Sequence, residues 1–401
     1  MAGSRKAVCR FASAQCISCA REFISRIHAE SLAYFFQSDT IYIQLDFVSF
    51  LTCTSLGQSN VIALPFIFVQ EAFMGIFCRR GAAACAVGIA VCVACVSCAR
   101  ADLSVTSWNV QTFFDAETVG TEYSEFARAG GSWTREAYRA RLGRLCGAIQ
   151  AIGSDVFVME EIENEGVVYD IFNELEGRLP PGRRYRYACF CAGKGGSIGN
   201  ALISRYPIRA VSSHDLAVRS EADAMPSMRP AMRVTVEKDG NALDIIVLHW
   251  KSKSGGAEKS EVWRLWQEAV LADLLASGSN PALVCGDLNK DIKEFAAHGS
   301  AVPHGENIAL SLLRGDSPAG AVPVHSPWIL HDGQLVEPGS YNFNARWERI
   351  DHFFAKSVVI KSFRPESSGE WVTGSGLPFA FRLWTGSGYS DHLPITCTVG
   401  L

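Results

Sequence analysis

The sequence predicts an α/β protein with mixed sheets, in one domain that spans residues 102–401. Short apolar, β-branched stretches such as 103–110 recur along the chain and are typical of strands. The stretches 133–152 and 261–277 have the spacing of amphipathic helices. Strands with intervening helices, together with a hairpin turn at 238–240, indicate both parallel and antiparallel strand pairs. Since no linker-like stretch interrupts this region, we expect a single domain.

Composition supports a sizeable core and argues against binding to nucleic acid through net charge alone. Hydrophobic residues make up 48% and charged residues 19% of the 401-residue chain, which argues against wholesale disorder. The net charge is −4, and residues 102–401 hold 29 basic and 36 acidic residues. A mildly acidic domain does not attract polyanions as a whole. A nucleic acid would therefore have to be held locally, by a few Arg or Lys side chains or by a metal ion.

Residues 74–101 have the pattern of a secretory signal peptide. A pair of arginines precedes an apolar run over 82–96, and the Ala-Arg-Ala sequence ending at Ala101 fits a cleavage site. A retained membrane anchor is the alternative, although the run is short for a spanning helix. Because signal peptides begin at the N-terminus, we interpret Met74 as the initiator and 1–73 as a non-native or disordered extension. We expect an exported protein, which is periplasmic, secreted or anchored through 74–101.

Polar residues follow several predicted strands at the point where each strand ends. In chain order they are Asn109, Glu161, His249, Asp287 with Asn289, Asp351, and Asp391 with His392. Each is common in turns, so none alone is informative, but their joint occurrence predicts a shared site at one edge of the sheets. Asp287 and Asn289 are two residues apart, and on an extended chain both would point to the same side.

Seven short stretches resemble, in the same order, motifs of the endonuclease/exonuclease/phosphatase superfamily. They are SWNVQTFFD, DVFVMEEIEN, GNALISRYPI, VLHWKSK, CGDLNKD, WERIDHFF and SDHLPI, and they span residues 107–395. These metal-dependent phosphoesterases include DNase I-like and abasic-site nucleases. The resemblance implies a DNase I-like four-layer α/β/β/α sandwich of two mixed sheets, with the active site at one edge of the sheets. The order HWKSKSGG, a helix, then GDLNKD is most similar to secreted bacterial nucleases.

The resemblance also implies a divalent metal ion. Hydrolysis of a phosphodiester needs a hard cation to neutralise developing charge, and carboxylate oxygens suit Mg²⁺, with Mn²⁺ or Ca²⁺ as alternatives. Glu161 matches the metal-binding glutamate of the family, with Asn109 beside it, and Asp391 would complete the metal environment. Strand alternation should point the neighbouring Glu160 away from this site.

The remaining motif residues match catalytic positions. His392 would be the general base, since imidazole titrates near neutral pH, and Asp351 would hold its ring. Asp287 and Asn289 would position the attacking water and a phosphate oxygen. His249 matches a histidine that contacts the phosphate and can protonate the leaving oxygen; a structural histidine is the alternative.

Three further positions are less specific. Arg229 is a candidate phosphate contact, although a surface arginine is nearly as common. Asn200 is grouped with the phosphate-binding residues, which it would support without contacting the substrate. Gln111 stands where abasic-site nucleases have an aspartate, which argues against a close relationship with those repair enzymes.

Three functions compete. The first is an exported Mg²⁺-dependent nuclease that cuts DNA or RNA. The second is a phosphatase or phospholipase C-like enzyme that acts on sphingomyelin or inositol phosphates, and the third is a non-catalytic surface-binding protein, which the complete catalytic set disfavours. Lysines 251, 253 and 259 would follow a phosphate backbone or form a solvated loop. The aromatic residues of 370–390 would stack on bases, insert into lipid or pack in the core. We expect a monomer and infer no protein partner.

Overall fold

The computed structural model describes nine ranges of the chain. They are 6–10, 32–37, 40–45, 102–128, 133–215, 228–298, 302–304, 307–314 and 320–401. The chain divides into two units, Met1–Arg100 and Ala101–Leu401. In the first unit, an antiparallel sheet of order β1-β3-β2 comprises β1 (Lys6–Arg10), β2 (Leu32–Gln37) and β3 (Thr40–Leu45).

The predicted signal segment, 74–101, lies outside the described residues. The interpretation of 1–73 as a non-native extension also stays a prediction. Within the described ranges, the helices are too short or too polar to cross a bilayer.

The second unit contains two large mixed sheets. The strands of the six-stranded sheet are β4 (Asp102–Phe113), β5 (Val156–Ile162), β6 (Tyr187–Ala192), β7 (Gly199–Ser204), β18 (Val359–Pro365) and β19 (Ile395–Gly400). Their spatial order is β18-β19-β4-β5-β7-β6. The strands of the eight-stranded sheet are β8 (Ile208–His214), β9 (Ala231–Lys238), β10 (Asn241–His249), β11 (Ala282–Asp287), β12 (Val302–His304), β13 (Asn307–Leu312), β14 (Val322–His325) and β17 (Asp351–Lys356). Their order is β12-β13-β14-β17-β11-β10-β9-β8.

Helices cover the outer faces of these sheets. A small hairpin forms a separate two-stranded sheet. The helices are α1 (Ser124–Arg128), α2 (Arg135–Ile152), α3 (Glu165–Arg178), α4 (Ala257–Ser277) and α5 (Ile292–His298), with a 3₁₀ turn at Pro181–Arg183. The hairpin consists of β15 (Tyr341–Phe343) and β16 (Arg346–Glu348).

Alternation along β5 shows how the layers pack. Val156 and Val158 point into a buried cluster that also holds residues of the eight-stranded sheet and of α4. Phe157 and Met159 point the other way, into a cluster with residues of α2 and α3. The order of layers is therefore helices, six-stranded sheet, eight-stranded sheet, helix, which confirms the predicted four-layer sandwich.

Local sequence explains where several elements begin and end. The Thr134 side chain accepts the Ala137 N–H at 3.2 Å and starts α2, and Gly153, in a left-handed conformation with φ 70°, ends it. Asp239 and Gly240, with φ 51° and 79°, form the predicted turn between β9 and β10. Helix α4 begins at Ala257, four residues before the predicted start, because its first turn precedes the apolar repeat.

Candidate active site

Two rows of polar residues lie across neighbouring strands, one row in each large sheet. In the eight-stranded sheet, directly paired residues of β10, β11 and β17 are His249, Asp287 and Asp351. In the six-stranded sheet, paired residues of β4, β5 and β7 are Asn109, Glu160 and Asn200. The Asn109 amide donates to Asp287 Oδ2 at 3.1 Å and so joins the two rows. Strand termini from both sheets therefore meet at one edge of the sandwich, as the sequence predicted, although Asp351 begins β17 where the sequence predicted a strand end.

The two glutamates of β5 lie on the same side of the sheet, so the prediction that Glu160 points away is wrong. Glu161 has a left-handed backbone with φ 67°, and the pairing of β5 with β7 shifts register there, which reverses the alternation of side chains. Glu161 Oε1 accepts from Asn109 at 3.2 Å. Glu160 is fully buried and accepts from Ser107 Oγ at 2.8 Å. Burial, and then the Asp351 carboxylate, raise its pKa well above the ordinary value.

His392 is held by hydrogen bonds from several elements. Its Nδ1 lies 2.8 Å from Asp351 Oδ2, and both side chains are buried. Its backbone N–H donates to Ser390 Oγ at 3.1 Å, and Trp108 Nε1 donates to its carbonyl at 2.9 Å. The Nε2 atom lies 3.9 Å from Asp287 Oδ2. Asp351 therefore fixes the ring, and Nε2 is the atom directed at the second carboxylate.

Neighbouring charges set the protonation of these groups. Burial lowers the pKa of His392, but Asp351, Asp391 and Asp287 outweigh it, so the pKa lies well above the ordinary value. Burial raises the pKa of Asp287 to about 7, against the opposing influence of His392. The neighbouring carboxylates thus favour the protonated form of His392, and burial favours the protonated form of Asp287.

His249 faces the carboxylates of both sheets. Its Nε2 lies 3.6 Å from Asp287 Oδ2 and 3.7 Å from Glu161 Oε1. Burial, and then the positive charge of Arg229, lower its pKa well below the ordinary value. A neutral ring can donate one N–H to a phosphate oxygen, whereas proton transfer to a leaving group would require the charged form. The geometry therefore favours a hydrogen-bond donor.

Asn289 reaches the site by a turn and not by an extended strand, so that part of the prediction is wrong. Strand β11 ends at Asp287, and Asn289 has φ 48°. Its N–H donates to Asp287 Oδ1 at 2.8 Å. Its side-chain amide and Arg229 Nη1 each donate to the Trp250 carbonyl at 3.3 Å. Asn289 and Arg229 therefore lie together at the end of β10, next to His249.

Asp391 is partly exposed, whereas Asn200 is fully buried. The Asp391 side chain is 39% exposed, with Oδ1 4.0 Å from His392 Nε2, so it lies at the mouth of the site. Asn200 is fully buried, and neither of its polar side-chain atoms has a hydrogen-bond partner among the described residues. A side chain with no exposed surface does not fit contact with a substrate phosphate, and Asn200 is better placed to support Glu160, its cross-strand neighbour.

Arg141 was missed by sequence reasoning, since nothing distinguishes it from the other arginines of α2. It is buried and donates to the carbonyls of residues 110–112. Its guanidinium lies 3.5 Å from the centre of the Phe381 ring. Gln111 and Thr112 have φ 53° and 47°, and the Thr112 N–H donates to Glu161 Oε2 at 2.5 Å. Arg141 thus holds the strained corner that positions Glu161.

Lys253 and the aromatic residues of 370–390 differ in how far they are available to a ligand. Lys253 pairs with Glu294 at 2.5 Å, so it is already partly neutralised. Within 370–390, Trp371 and Phe381 are buried, which confirms core packing for these two, whereas Trp384 is exposed.

The residues present fit a divalent cation. Four carboxylates, those of Glu160, Glu161, Asp287 and Asp351, converge with two histidines. In the part of the chain that the structure describes, Glu160 Oε2, Asp351 Oδ1 and His249 Nδ1 are buried without hydrogen-bond partners. Asp287, Asp351 and His392 place potential ligand atoms within 4.8 Å of one another. Asn109 bridges two carboxylates through its nitrogen, and its oxygen accepts the Gln111 N–H at 3.0 Å, so its role as a metal ligand stays a prediction.

Two mixed sheets whose strand termini bring carboxylates and histidines to one edge agree with the fold and the site that the sequence motifs predicted. The Endonuclease/Exonuclease/phosphatase family model matches residues 104–400, and the chain belongs to this family. None of the curated proteins matches the chain in sequence.

Several solved structures are similar to this chain. Humanized D. rerio TDP2, which carries 14 mutations, is 17% identical with a TM-score of 0.47, over 75% of this chain and 99% of that chain. An endonuclease/exonuclease/phosphatase family protein from Bacteroides thetaiotaomicron is 16% identical with a TM-score of 0.46, over 75% and 95%. The human Nocturnin catalytic domain with bound sulfate is 17% identical with a TM-score of 0.44, over 75% and 95%.

Proposed function

We propose that the protein is an exported, divalent-metal-dependent phosphodiesterase that hydrolyses DNA or RNA. The observation that carries the proposal is the convergence of Glu161, His249, Asp287 and His392 from both sheets, within hydrogen-bonding or near-contact distances. Export rests on the sequence pattern of 74–101 alone, and we propose a monomer.

His392 would activate the attacking water. With its Nδ1–H donated to Asp351 at 2.8 Å, the neutral ring presents the Nε2 lone pair toward Asp287. A water between these two residues would lose a proton to Nε2 as its oxygen bonds to phosphorus. The ester bond opposite the water then breaks, its electron pair stays on the leaving oxygen, and that oxygen takes a proton from solvent as it departs from the far side.

Three neutral or positive groups would hold the phosphate. The neutral His249 offers an N–H, Asn289 an amide, and Arg229 a guanidinium, and the last two already share the Trp250 carbonyl. These donors are fixed before the substrate arrives, which is the arrangement that favours stabilisation of a transition state.

Glu161 and Asp287 would hold the divalent cation, with Mg²⁺ the expected ion and Mn²⁺ or Ca²⁺ as alternatives. When bound, the cation would offset charge on the phosphate oxygens and, by opposing positive charge on His392, favour the neutral ring.

The test is an assay of the purified protein with Mg²⁺ on plasmid DNA, single-stranded DNA, RNA, sphingomyelin vesicles and inositol phosphates. D. rerio TDP2 has been crystallised with a single-strand DNA product, a finding that concerns that protein alone. We expect cleavage of nucleic acid that stops with EDTA and in His392→Ala, while Arg139→Met, a change on the exposed face of α2, retains activity. Turnover of lipid or inositol phosphate without nucleic acid would contradict the nuclease assignment. Nucleic-acid binding without turnover would favour a non-catalytic surface protein.

A further inference from the structure

An aromatic row leads from the candidate catalytic histidine to the surface. The Tyr341 ring lies with its centre 4.7 Å from that of His392, at an angle of 34°. Phe343 lies nearly parallel to Tyr341, at 9° and 6.3 Å between ring centres. Phe343 is 54% exposed although it is large and apolar. The row therefore presents an open aromatic face no more than about 11 Å from His392, given the two separations.

The hairpin that carries this row is held in a fixed shape. Asn344 and Ala345, with φ 50° and 61°, form the two-residue turn that suits a hairpin. Trp347 packs against the buried cluster beneath the helices, so it anchors the hairpin. Tyr341 also pairs with His392 through a backbone bridge. The exposure of Phe343 is thus imposed by the fold.

A positive charge accompanies the exposed ring. Arg346 is the cross-strand partner of Phe343 in the hairpin, and directly paired residues project from the same face. Arg346 is exposed. An aromatic ring beside an arginine is suited to a ligand that has a flat face and a nearby phosphate.

We propose that Tyr341, Phe343 and Arg346 form a subsite that stacks one nucleobase of a single-stranded nucleic acid within a few nucleotides of the cleaved phosphate. The proposal rests on the proposed function and specifies its substrate class. Even at the compact helical rise of about 3.4 Å per nucleotide, the open face lies within roughly three nucleotides of the reacting phosphate, and a more extended single strand covers this distance in fewer. In a duplex both faces of each internal base are covered by stacking, so a single strand or a frayed end suits this subsite. Tyr341 supports Phe343 from behind and also covers His392.

The experiment compares two substrates in the purified full chain with Mg²⁺. One is a single-stranded oligonucleotide, and the other is methyl p-nitrophenyl phosphate, a phosphodiester without a base. The measured quantity is the ratio of kcat/KM for the oligonucleotide to kcat/KM for the small diester. We expect Phe343→Ala to lower this ratio by roughly 5- to 150-fold, the range that corresponds to loss of a base–aromatic stack. Phe343→Trp should restore it, and Phe343→Leu should not.

The matched control is Tyr169→Ala, which removes an aromatic side chain of 67% exposure from α3 and should leave the ratio as in the parent. A ratio unaffected by Phe343→Ala, in a parent that cleaves both substrates, would overturn the subsite and leave the proposed function intact. A parent that cleaves neither substrate would contradict the proposed function itself. Sphingomyelin vesicles are assayed as a third substrate, and an effect of Phe343→Ala confined to these vesicles would indicate contact with a lipid surface and overturn the proposal.

Discussion

The replacement Arg141→Met tests whether a buried arginine holds the corner that positions Glu161. Methionine keeps a long apolar side chain between the rings of Phe113 and Phe381, while it removes all hydrogen-bond donors. The three carbonyls of residues 110–112 would lose a charged donor. The variant therefore separates the hydrogen bonds of Arg141 from its packing.

The size of the effect follows from these bonds. A hydrogen bond to a charged group contributes about 1.5–3 kcal/mol. Because part of the corner is accessible and the carbonyls would regain some water, we expect a loss of about 3–5 kcal/mol in the free energy of unfolding. Gln111 and Thr112, both left-handed, would relax, since such conformations cost about 1–3 kcal/mol each. Glu161 would then lose its N–H donor, and phosphodiesterase activity should fall about 10- to 100-fold.

Two assays measure this prediction. Urea unfolding gives the change in stability, and cleavage of a single-stranded oligonucleotide over a range of Mg²⁺ concentrations, without urea, gives the change in activity. Arg139→Met on the same helix is exposed and should change stability by less than about 0.5 kcal/mol. The reasoning would be refuted if Arg141→Met lay within about 1 kcal/mol of the parent in the free energy of unfolding and within about twofold of it in activity.

Three further predictions concern the core around the site. Gly286→Ala should lower the unfolding free energy by about 2–4 kcal/mol in urea titrations, because φ is 128° and an added Cβ would lie 1.9 Å from the Leu248 carbonyl oxygen; a change below about 1 kcal/mol would contradict this. Lys290→Met should cost about 3–5 kcal/mol by leaving Glu268 buried and unpaired, whereas the double variant with Glu268→Gln should lose less; equal losses would argue against the ion pair, which spans 2.7 Å. Burial lowers the pKa of His352 to about 4, so the unfolded state takes up a proton below pH 6.5 that the folded state does not, and stability should fall from pH 6.5 toward pH 4. His352→Phe should reduce that slope in urea midpoints measured at pH 7 and pH 5, and an unchanged slope would exclude this cause.

Elements with a regular pattern were predictable from the sequence. The alternation of 103–110 lies inside β4, and the helical spacing of 133–152 matches α2 to within two residues. His249 and Asp287 were predictable as a pair because the parallel strands β10 and β11 bring their carboxyl ends to one edge, where the antiparallel β17 begins with Asp351. These three residues form one row across the sheet.

Departures from regular backbone explain what could not be predicted. Glu160 and Asn289 were misplaced because residues 161 and 289 adopt left-handed conformations, which the simple alternation of strand side chains does not include. The sequence around Arg141 and Phe343 does not distinguish them from other residues of their type. The role of Arg141 is visible only in its contacts with the carbonyls of β4. The role of Phe343 is visible only in its position beside Tyr341, which contacts His392. Such roles arise from tertiary contacts between distant stretches of the chain.

The most direct test of the site is a double-mutant cycle between the two sheets. Glu161→Gln, Asp287→Asn and the double variant are compared with the parent by kcat for cleavage of a single-stranded oligonucleotide in Mg²⁺. If the two carboxylates act as one unit, each single change should lower kcat by about 100-fold or more, and the double variant should lose little beyond the worse single variant. Losses that multiply fully in the double variant would show two independent residues and contradict a shared site.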